Sequence, residues 1–407
     1  MTTPGQRLGL YATVASLSRA ASGGLPSAII LGVLAAGGSA SDASLLVASV
    51  TAVAGLVGPL VGAAVDRLEQ PRRGYLLAII VLSATAAALA IGVGSWPPAL
   101  LVLIAGGAGL AHPMFIGAWS AQVRRIAPEV PAARAYAVDA ATYNIGDILG
   151  PALVGIAYVY DASTPGAASL EVVTVLYLCA GLAVLFVAIP HRDSTVPPEP
   201  LRHALRGLSI FWHSVALRRS TIISTVAFVG IAGVVISAPL LGQELAGDAG
   251  KGALLLAVIA FGALLGALAF ARRPIRRFGP GTLVVITTAG LGVGIAMLAF
   301  VPTFWVAVPV ALVLGVLEAP PLTSVLQVRD RESPTHVRSL VFVAAASLKT
   351  GAFAVGSLLA AALVIWGWRN LLLASAVIEI AAVALGLILA GRSRRGPSEL
   401  TDTRPRV

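Results

Sequence analysis

The 407-residue sequence predicts an all-α membrane protein of twelve transmembrane helices, arranged as two pseudo-symmetric six-helix bundles. Three observations lead to this prediction: an apolar composition, twelve long apolar segments, and an internal repeat at about half the chain length. The chain is 57% hydrophobic and 11% charged, with a mean hydropathy of +0.92. A soluble chain carries about 25% charged residues. A soluble fold could not bury this much apolar surface, so a polytopic membrane protein is expected.

The twelve segments are long enough to cross a bilayer as helices, which takes roughly 20 apolar residues. They cover residues 9–36, 43–65, 74–95, 98–121, 136–160, 170–190, 221–242, 252–271, 281–301, 304–327, 340–366 and 370–391. The first follows a short N-terminus without a small-residue cleavage site, so we interpret it as a retained span. An even number of spans places both termini on the same side.

The basic residues predict which side that is. Of the 28 lysines and arginines, we assign 24 to loops and tails on the side of the termini. Lys251 and Arg369 lie on the other side, and Arg19 and Lys349 lie within spans. Because basic loops stay in the cytoplasm, both termini are predicted to be cytoplasmic, without any nucleic-acid partner. The high content of Ala, Gly and Arg suggests a bacterial source, hence a bacterial cytoplasmic membrane.

A central linker divides the chain. Residues 1–190 are predicted to form an N-terminal six-helix half and residues 221–391 a C-terminal half, with a cytoplasmic tail at 392–407. The linker, 191–220, contains the sequence LRHALRGLSIFWHSVALRR, whose apolar residues recur near helical spacing opposite basic ones. This pattern predicts an amphipathic helix on the cytoplasmic membrane surface.

The two halves repeat each other. A shift of 204 residues aligns GAAVDRLEQPRR, from Gly62, with GALAFARRPIRR, from Gly266, and a shift of 205 aligns two Gln-Val-Arg triplets, 122–124 and 327–329. Topology alone would explain equally spaced basic loops, but it would not explain matched glycines and triplets. A duplicated six-plus-six plan is common among transporters, whose substrate site lies between the repeats near the bilayer midplane.

In length, span number, linker and two motifs, the whole chain resembles the major facilitator superfamily. The loop after span two carries the motif residues Gly62, Asp66, Arg67, Arg72 and Arg73. The family's usual glycine is replaced there by Glu69. In that family the loop helps to lock the outward-facing state, with its acid near the start of span eleven. The resemblance implies the same role here, and a helix N-terminus does attract a carboxylate.

Span five resembles the family's antiporter motif. It carries Gly146, Gly150, Pro151 and Gly155, with the last glycine one position late. Small residues four apart let two helix backbones approach closely, so helix packing is part of any interpretation. Span four lacks the arginine that the family's drug/proton exporters usually carry. The resemblance implies secondary active transport by alternating access.

Ionisable residues inside spans are functional candidates, because burying them unpaired is costly. They are Arg19, His112, Asp147, Glu318, Lys349 and Glu379. Counted from the span ends at 1.5 Å per residue, Arg19 and Asp147 lie roughly 16–20 Å deep. Glu318 and Lys349 lie roughly 14–17 Å deep. Matched depth predicts one charge pair in each half, Arg19–Asp147 and Glu318–Lys349. Asp139 is expected nearer the cytoplasmic edge, and Glu379 at the periphery.

Two interpretations of these pairs stay open. They fix helix packing by neutralising each other, or they line a central cavity and bind substrate or protons. Asn144 shares a helix face with Asp147, and His112, next to Pro113, is a candidate third polar contact.

The sequence lacks a phosphate-binding glycine loop, a metal-ligand cluster and a nucleophile elbow, so we expect no enzymatic activity, cofactor or metal. The favoured function is proton-coupled efflux of a small organic molecule by a monomer in the lipid bilayer, because of the span-five motif. Proton-coupled uptake of a small nutrient is the alternative within transport. A non-transporting membrane sensor or scaffold is the alternative of another class, which the lack of a sizeable soluble domain disfavours.

Overall fold

The computed structural model describes residues 3–65, 68, 70–161, 163–189, 214–272, 277–332 and 338–391. The described residues contain twelve long helices and no strand, which confirms the all-α prediction. The helices are α1 (Pro4–Ala35), α2 (Ala40–Val65), α3 (Pro71–Gly92), α4 (Pro98–Ala111), α5 (Ala132–Tyr160), α6 (Pro165–Phe186), α7 (Val215–Ala246), α8 (Ala249–Arg272), α9 (Pro280–Ala299), α10 (Phe304–Glu332), α11 (Arg338–Leu363) and α12 (Trp368–Gly391).

Each predicted span falls on one of these helices. In the described part of the chain, ten helices are long and apolar enough to cross a membrane. The other two are α5 and α10, and α10 begins with a shorter apolar stretch, Phe304–Glu318. These two helices carry the acidic residues that the sequence placed at midplane. Helix α7 begins earlier than predicted, at Val215. Most of the linker, with its predicted amphipathic helix, and the tail lie outside the described residues.

Local sequence sets several helix ends. A proline occupies the first turn of α1, α3, α4, α6 and α9, where its missing N–H is not needed and its fixed φ suits a helix. Thr3 and Gln6 form a capping box before α1. Gly37 and Gly247, which follow α1 and α7, have φ of 77° and 66°, a conformation that glycine adopts without strain.

The packing of the helices repeats between two halves, defined here as the N-half (α1–α6) and the C-half (α7–α12). In the N-half α1 packs against α5 and α6, and in the C-half α7 packs against α11 and α12. Likewise α2–α4 and α3–α6 are matched by α8–α10 and α9–α12. Between the halves, α2 packs on α11 and α5 on α8. This correspondence supports the duplication read from the sequence.

The halves meet tightly at the end of the bundle opposite the termini, called here the closed end. There a Cβ atom on Gly155 of α5 would lie 2.8 Å from the carbonyl oxygen of Gly250 of α8. The Ser41 hydroxyl of α2 donates to the Ala361 carbonyl of α11 over 2.7 Å. The first contact brings backbone against backbone and the second joins a side chain to a backbone carbonyl, so the two halves close on each other at this end.

One face of α5 shows how far the cavity extends toward the closed end. At helical spacing along this face, Ala137, Ala140 and Asp147 are exposed, and Asn144 is half-buried. One turn beyond Asp147, Pro151 is buried, and Gly155 after it is buried against α8. The cavity therefore opens toward the end that carries the termini, called here the termini end, and closes just beyond Asp147.

Candidate functional site

Arg19 of α1 forms a buried ion pair with Asp139 of α5. The Arg19 Nη2 atom lies 2.9 Å from Asp139 Oδ1, and Nη1 donates to the Asp139 carbonyl over 2.9 Å. Arg19 is only 3% exposed and Asp139 8%. The prediction that Arg19 pairs directly with Asp147 is therefore wrong. Asp139 lies nearer the start of α5 than Asp147, as expected, but it is a buried partner of Arg19, which was not predicted.

Neighbouring polar groups complete the pair. Ser120 accepts a hydrogen bond from Arg19 Nη2 over 2.8 Å, and the Thr142 hydroxyl accepts one from Nη1. The Arg19 guanidinium lies 3.5 Å from the ring centroid of Tyr143, a cation–π distance. The Tyr11 hydroxyl donates to Asp139 Oδ1 over 2.5 Å. We call Arg19, Asp139 and these four residues the arginine cluster. Such dense bonding is what a buried ion pair requires to be stable.

An irregular segment that follows α4 contacts one side of the arginine cluster. After Pro113, which has no N–H to donate, residues Met114–Ala118 form a π-helical turn. Carbonyl oxygens of this turn accept bonds from side chains: Ile116 from the Tyr143 hydroxyl and Ala118 from the Tyr75 hydroxyl. The following residue, Trp119, stacks on Tyr11 with ring centroids 5.6 Å apart. This irregular turn therefore positions Ser120 and Tyr143 around the guanidinium.

Most of this cluster was not predicted, although the sequence carries a signal for it. On α5, Asp139, Thr142, Tyr143, Gly146 and Gly150 recur at helical spacing and form the face that packs on α1. A polar stripe that continues into two small residues indicates a helix contact with a buried partner. Tyr11 and Ser120 left no comparable pattern.

Asp147 lies at the depth of Arg19 but points elsewhere. A Cβ atom on its neighbour Gly146 would lie 2.7 Å from Arg19 Cβ, so Gly146 is the α5 residue that faces Arg19. Asp147 is exposed and interacts electrostatically with Glu318 of the C-half. Asp147 also interacts electrostatically with Arg19, but the two residues do not form a direct ion pair. Asp147 therefore faces the cavity between the halves.

The predicted pair Glu318–Lys349 is also not a direct contact in the described part of the chain. The two half-buried residues interact electrostatically, and Lys349 Nζ lies 4.5 Å from the ring centroid of Phe228. Two carboxylates, Asp147 and Glu318, and one ammonium group thus approach one another from both halves. No group of three or more His, Cys, Asp or Glu side chains among the described residues is arranged to hold a metal ion.

Two further candidates flank this site on the N-half. Asn144 lies one turn from Asp147 on the cavity face, and its amide donates back to the Ala140 carbonyl over 3.5 Å. His112 is half-buried where the regular part of α4 ends, next to Pro113. A Cβ atom on Gly58 of α2 would lie 3.9 Å from the Pro113 ring. His112 therefore lies near α2, one of the helices that contact the C-half.

The glycine motif of α5 packs on two helices. A Cβ atom on Gly150 would lie 2.6 Å from the backbone nitrogen of Gly24 of α1, so these backbones approach as closely as glycines allow. Gly155 packs instead on α8, across the interface of the halves. Pro151 lies between them and is buried. The motif thus joins α5 to its own half and, at the closed end, to the other.

In the described part of the predicted loop motif, Arg72 joins the start of α3 to the end of α6 by hydrogen bonds. Arg72 donates to the Val187 carbonyl over 3.0 Å and to the Leu185 carbonyl, at the end of α6, where unpaired carbonyls attract a cation. Arg73 is exposed. Gly62 lies in the last turn of α2, and Asp66 and Arg67 lie outside the described residues.

Glu379 of α12 is not peripheral, as the sequence suggested, but fully buried. Its exposed fraction is 0%, and neither carboxylate oxygen has a hydrogen-bond partner among the described residues. Gly230 of α7 and Gly292 of α9 pack against it.

Two six-helix halves with charged side chains between them are the architecture of a membrane transporter. The sequence profile of the Major Facilitator Superfamily matches residues 11–352, and the chain belongs to this family. The multidrug efflux pump Tap of Mycolicibacterium fortuitum is 26% identical over 348 residues, which cover 81% of this chain and 82% of that pump.

Solved structures show the same fold at low sequence identity. The nucleoside transporter NupG superposes with a TM-score of 0.79 at 12% identity, covering 94% of this chain and 99% of that one. A bacterial homologue of the human lysosomal transporter Spinster, inward-facing and unoccupied, has a TM-score of 0.69 at 14% identity, covering 97% and 99%. The chain is therefore a multi-pass membrane transporter with a small-molecule substrate.

Proposed function

We propose that this protein exports a small organic molecule across the bacterial cytoplasmic membrane in exchange for protons, as a monomer. The observation that carries the proposal is the exposed carboxylate of Asp147, which faces Glu318 across the cavity. Two carboxylates contributed by different halves can exchange protons and substrate as the halves move. The direction is supported by the similarity to a multidrug efflux pump.

The proposed mechanism assigns different tasks to the two aspartates of α5. Asp139 neutralises Arg19 inside the N-half, so Asp147 has no direct ion pair to break when it gains or loses a proton. Protonation of Asp147 removes one of the two negative charges that face each other across the cavity. Substrate or proton then competes for the same carboxylates, which couples their movements.

Alternating access would rock the N-terminal half, 1–190, against the C-terminal half, 221–391, about the linker 191–220. In the state described here, the contacts of Gly155 with Gly250 and of Ser41 with Ala361 close one end. Opening that end requires these contacts to separate. The loop motif with Asp66 and Arg67 would form the opposite lock at the termini end.

The orientation is part of the proposal. The 24-to-two division of basic residues favours cytoplasmic termini, so the cavity described here would open to the cytoplasm. Single cysteines introduced at Ser95 and at Ser163, in closed-end loops, should react with an impermeant maleimide added outside intact cells. Labelling of either site only after permeabilisation would reverse the orientation.

Proteoliposomes with a pH dye inside test the transport mechanism. An outward proton gradient should drive probe uptake into vesicles whose protein is inside-out, with ethidium and tetracycline as probes, and each probe should accelerate proton loss. Asp147→Asn should abolish both signals. Glu171→Gln, which alters an exposed carboxylate on the outer face of α6, is the matched control and should change neither.

The outcomes separate the rival functions. Export predicts that inside-out vesicles accumulate the probe when their interior is acidic. Accumulation only in right-side-out vesicles with an alkaline interior would indicate uptake instead. Absence of transport of a broad compound panel under any gradient would favour a sensor or scaffold. Normal coupling in the Asp147→Asn variant would remove Asp147 from the mechanism.

A further inference from the structure

Glu379 is a buried ionisable group without a hydrogen-bond partner among the described residues. It is 0% exposed, and both of its carboxylate oxygens lack hydrogen-bond partners. A Cβ atom on Gly230 would lie 3.1 Å from Glu379 Oε1, and one on Gly292 would lie 3.1 Å from Glu379 Cβ. Glycines of α7 and α9 thus leave space that a glutamate side chain fills.

Among the described residues, the helices packed around this carboxylate place no cation beside it. Helix α9 contains no titratable residue, and those of α7 lie near its ends, at Arg218, Arg219 and Glu244. On α12 itself the nearest is Arg369, ten residues away, and the hydroxyl of Ser375 donates to the Leu371 carbonyl. An ionised carboxylate in such a site is strongly unfavourable, whereas a neutral carboxylic acid is far less so.

One charged group interacts electrostatically both with Glu379 and with the residues that face the cavity. Glu318 of α10 interacts electrostatically with Glu379 on one side and with Asp147 and Lys349 on the other. On α11, which also packs on α7, the titratable residue within the helix is Lys349. The carboxyl groups of Glu379, Glu318 and Asp147 therefore form a series that runs from the interior of the C-half to the cavity.

Among the described residues, the corresponding helices of the N-half hold no buried carboxyl group that lacks a hydrogen-bond partner. Where α6 packs on α1, a hydrogen bond of 3.1 Å joins two neutral groups, the hydroxyls of Ser22 and Tyr177. Bonded neutral groups are sufficient to pack these helices. A carboxyl group without partners in the C-half therefore needs an explanation other than packing.

We propose that Glu379 is a second proton-binding residue of the transporter, which holds a proton in the state described here and exchanges it with the cavity through Glu318. Neither Glu379 oxygen has a hydrogen-bond partner among the described residues, so release requires the two carboxyl groups to come within hydrogen-bond distance as the halves move. The O–H bond of Glu379 then breaks and the proton passes to the carboxylate of Glu318. On uptake, the same transfer runs in reverse. The inference rests on the proton coupling proposed above, and it adds a storage site away from the substrate.

Infrared spectroscopy of the purified protein tests the proposal without substrate or gradient. Wild-type protein should show the carbonyl stretch of a protonated carboxyl group, shifted in D2O and lost on raising the pH. Glu379→Gln should lack this band, and Glu171→Gln should retain it. Glu318→Gln should move the midpoint of the loss to lower pH, because a neighbouring negative charge is removed.

Three results would overturn the proposal: an unchanged spectrum in Glu379→Gln, a band that does not titrate, or a midpoint that Glu318→Gln leaves in place. If Glu379→Gln does not fold, the comparison of wild type with Glu318→Gln still tests the proposal. The pH midpoint of the band should change only if the protonated group interacts with Glu318. In proteoliposomes Glu379→Gln should lower the number of protons moved per probe. A titrating band in a protein that moves no protons would support the binding site and contradict the proposed function alone.

Discussion

The two halves share one packing scheme but treat their buried charges differently. In the N-half, the Arg19 guanidinium is bonded to Asp139, Ser120 and Thr142 and stacked on Tyr143. In the C-half, Arg329 has a single side-chain hydrogen bond among the described residues, from Nη2 to Ser224 over 3.2 Å. The Nε atoms of both arginines lack a partner there, so the difference between them lies in the bonds of the Nη atoms.

The carboxylates follow the same division. Asp139 is held by a cation and a tyrosine, whereas Glu318 and Lys349 interact only at a distance, and Glu379 has no described partner. The helix arrangement is thus repeated between the halves, whereas the buried charges differ. We infer that the N-half provides a fixed frame around Arg19, and that the groups that change protonation are Asp147 and the acids of the C-half.

Breaking the arginine cluster should have the largest effect on stability. Arg19→Gln and Asp139→Asn should each cost about 3–5 kcal/mol, because each leaves one buried charge unpaired. The double variant should recover much of this loss, since no unpaired charge remains. Thermal or chemical unfolding in detergent measures the stability of each variant. Strictly additive losses in the double variant would show that the ion pair does not stabilise the N-half.

Close helix contacts should show the similarity of the halves. Gly150 of α5 packs on α1, and at the matching contact a Cβ atom on Gly356 of α11 would lie 2.8 Å from Ala232 Cβ of α7. Substitution of either glycine by alanine should cost about 1–3 kcal/mol through overpacking. The control is Gly9→Ala, where a Cβ atom meets nothing within 4 Å. A loss in one half only would mean that the halves pack differently.

The C-half charges should show little mutual stabilisation. Because Glu318 and Lys349 are not in direct contact, a double-mutant cycle of Glu318→Gln and Lys349→Gln should give a coupling energy of about 0.5 kcal/mol or less. Transport should fall in each single variant. A coupling energy as large as that of Arg19 and Asp139 would contradict the proposed difference between the halves.

Much of the fold could be predicted from the sequence, because long apolar runs and a repeated pattern leave few alternatives in a bilayer. The site could be predicted only in part. Matched depth correctly placed span five beside Arg19, but depth does not say which face of a helix meets the neighbour. Gly146 faces Arg19, and Asp147, about 100° further round the helix, faces the cavity.

The partner of Arg19 is Asp139, which lies nearer the termini end of α5 than Asp147, and this has a physical reason. Side chains on a helix lean toward its N-terminus, and arginine is long, so Arg19 reaches a residue nearer the termini end than its own Cα. Residue counting from span ends ignores this reach. Glu379 was misplaced because its environment is made of glycines from two distant helices, which no local pattern reveals.

The smallest effect is expected at an exposed acid outside the membrane. The Ser163 hydroxyl, followed by the backbone N–H groups of Thr164 and Ser163, lowers the pKa of Asp161 to about 2. Its contribution to stability is present above the usual pKa of about 3.9 and is lost as the pH falls toward 2. Asp161→Asn should therefore leave the pH profile of transport between about pH 5 and 8 unchanged. A shifted profile would place a proton-coupling role outside the bundle.

The central claim is that Arg19 and Asp139 hold the N-half together, whereas Asp147 carries protons. Proton movement in proteoliposomes, with ethidium as the probe, compares the Arg19→Gln/Asp139→Asn double variant with Asp147→Asn at equal amounts of folded protein. We predict that the double variant retains most of the wild-type proton flux and that Asp147→Asn loses it. Loss of flux in the double variant with normal flux in Asp147→Asn would contradict the account.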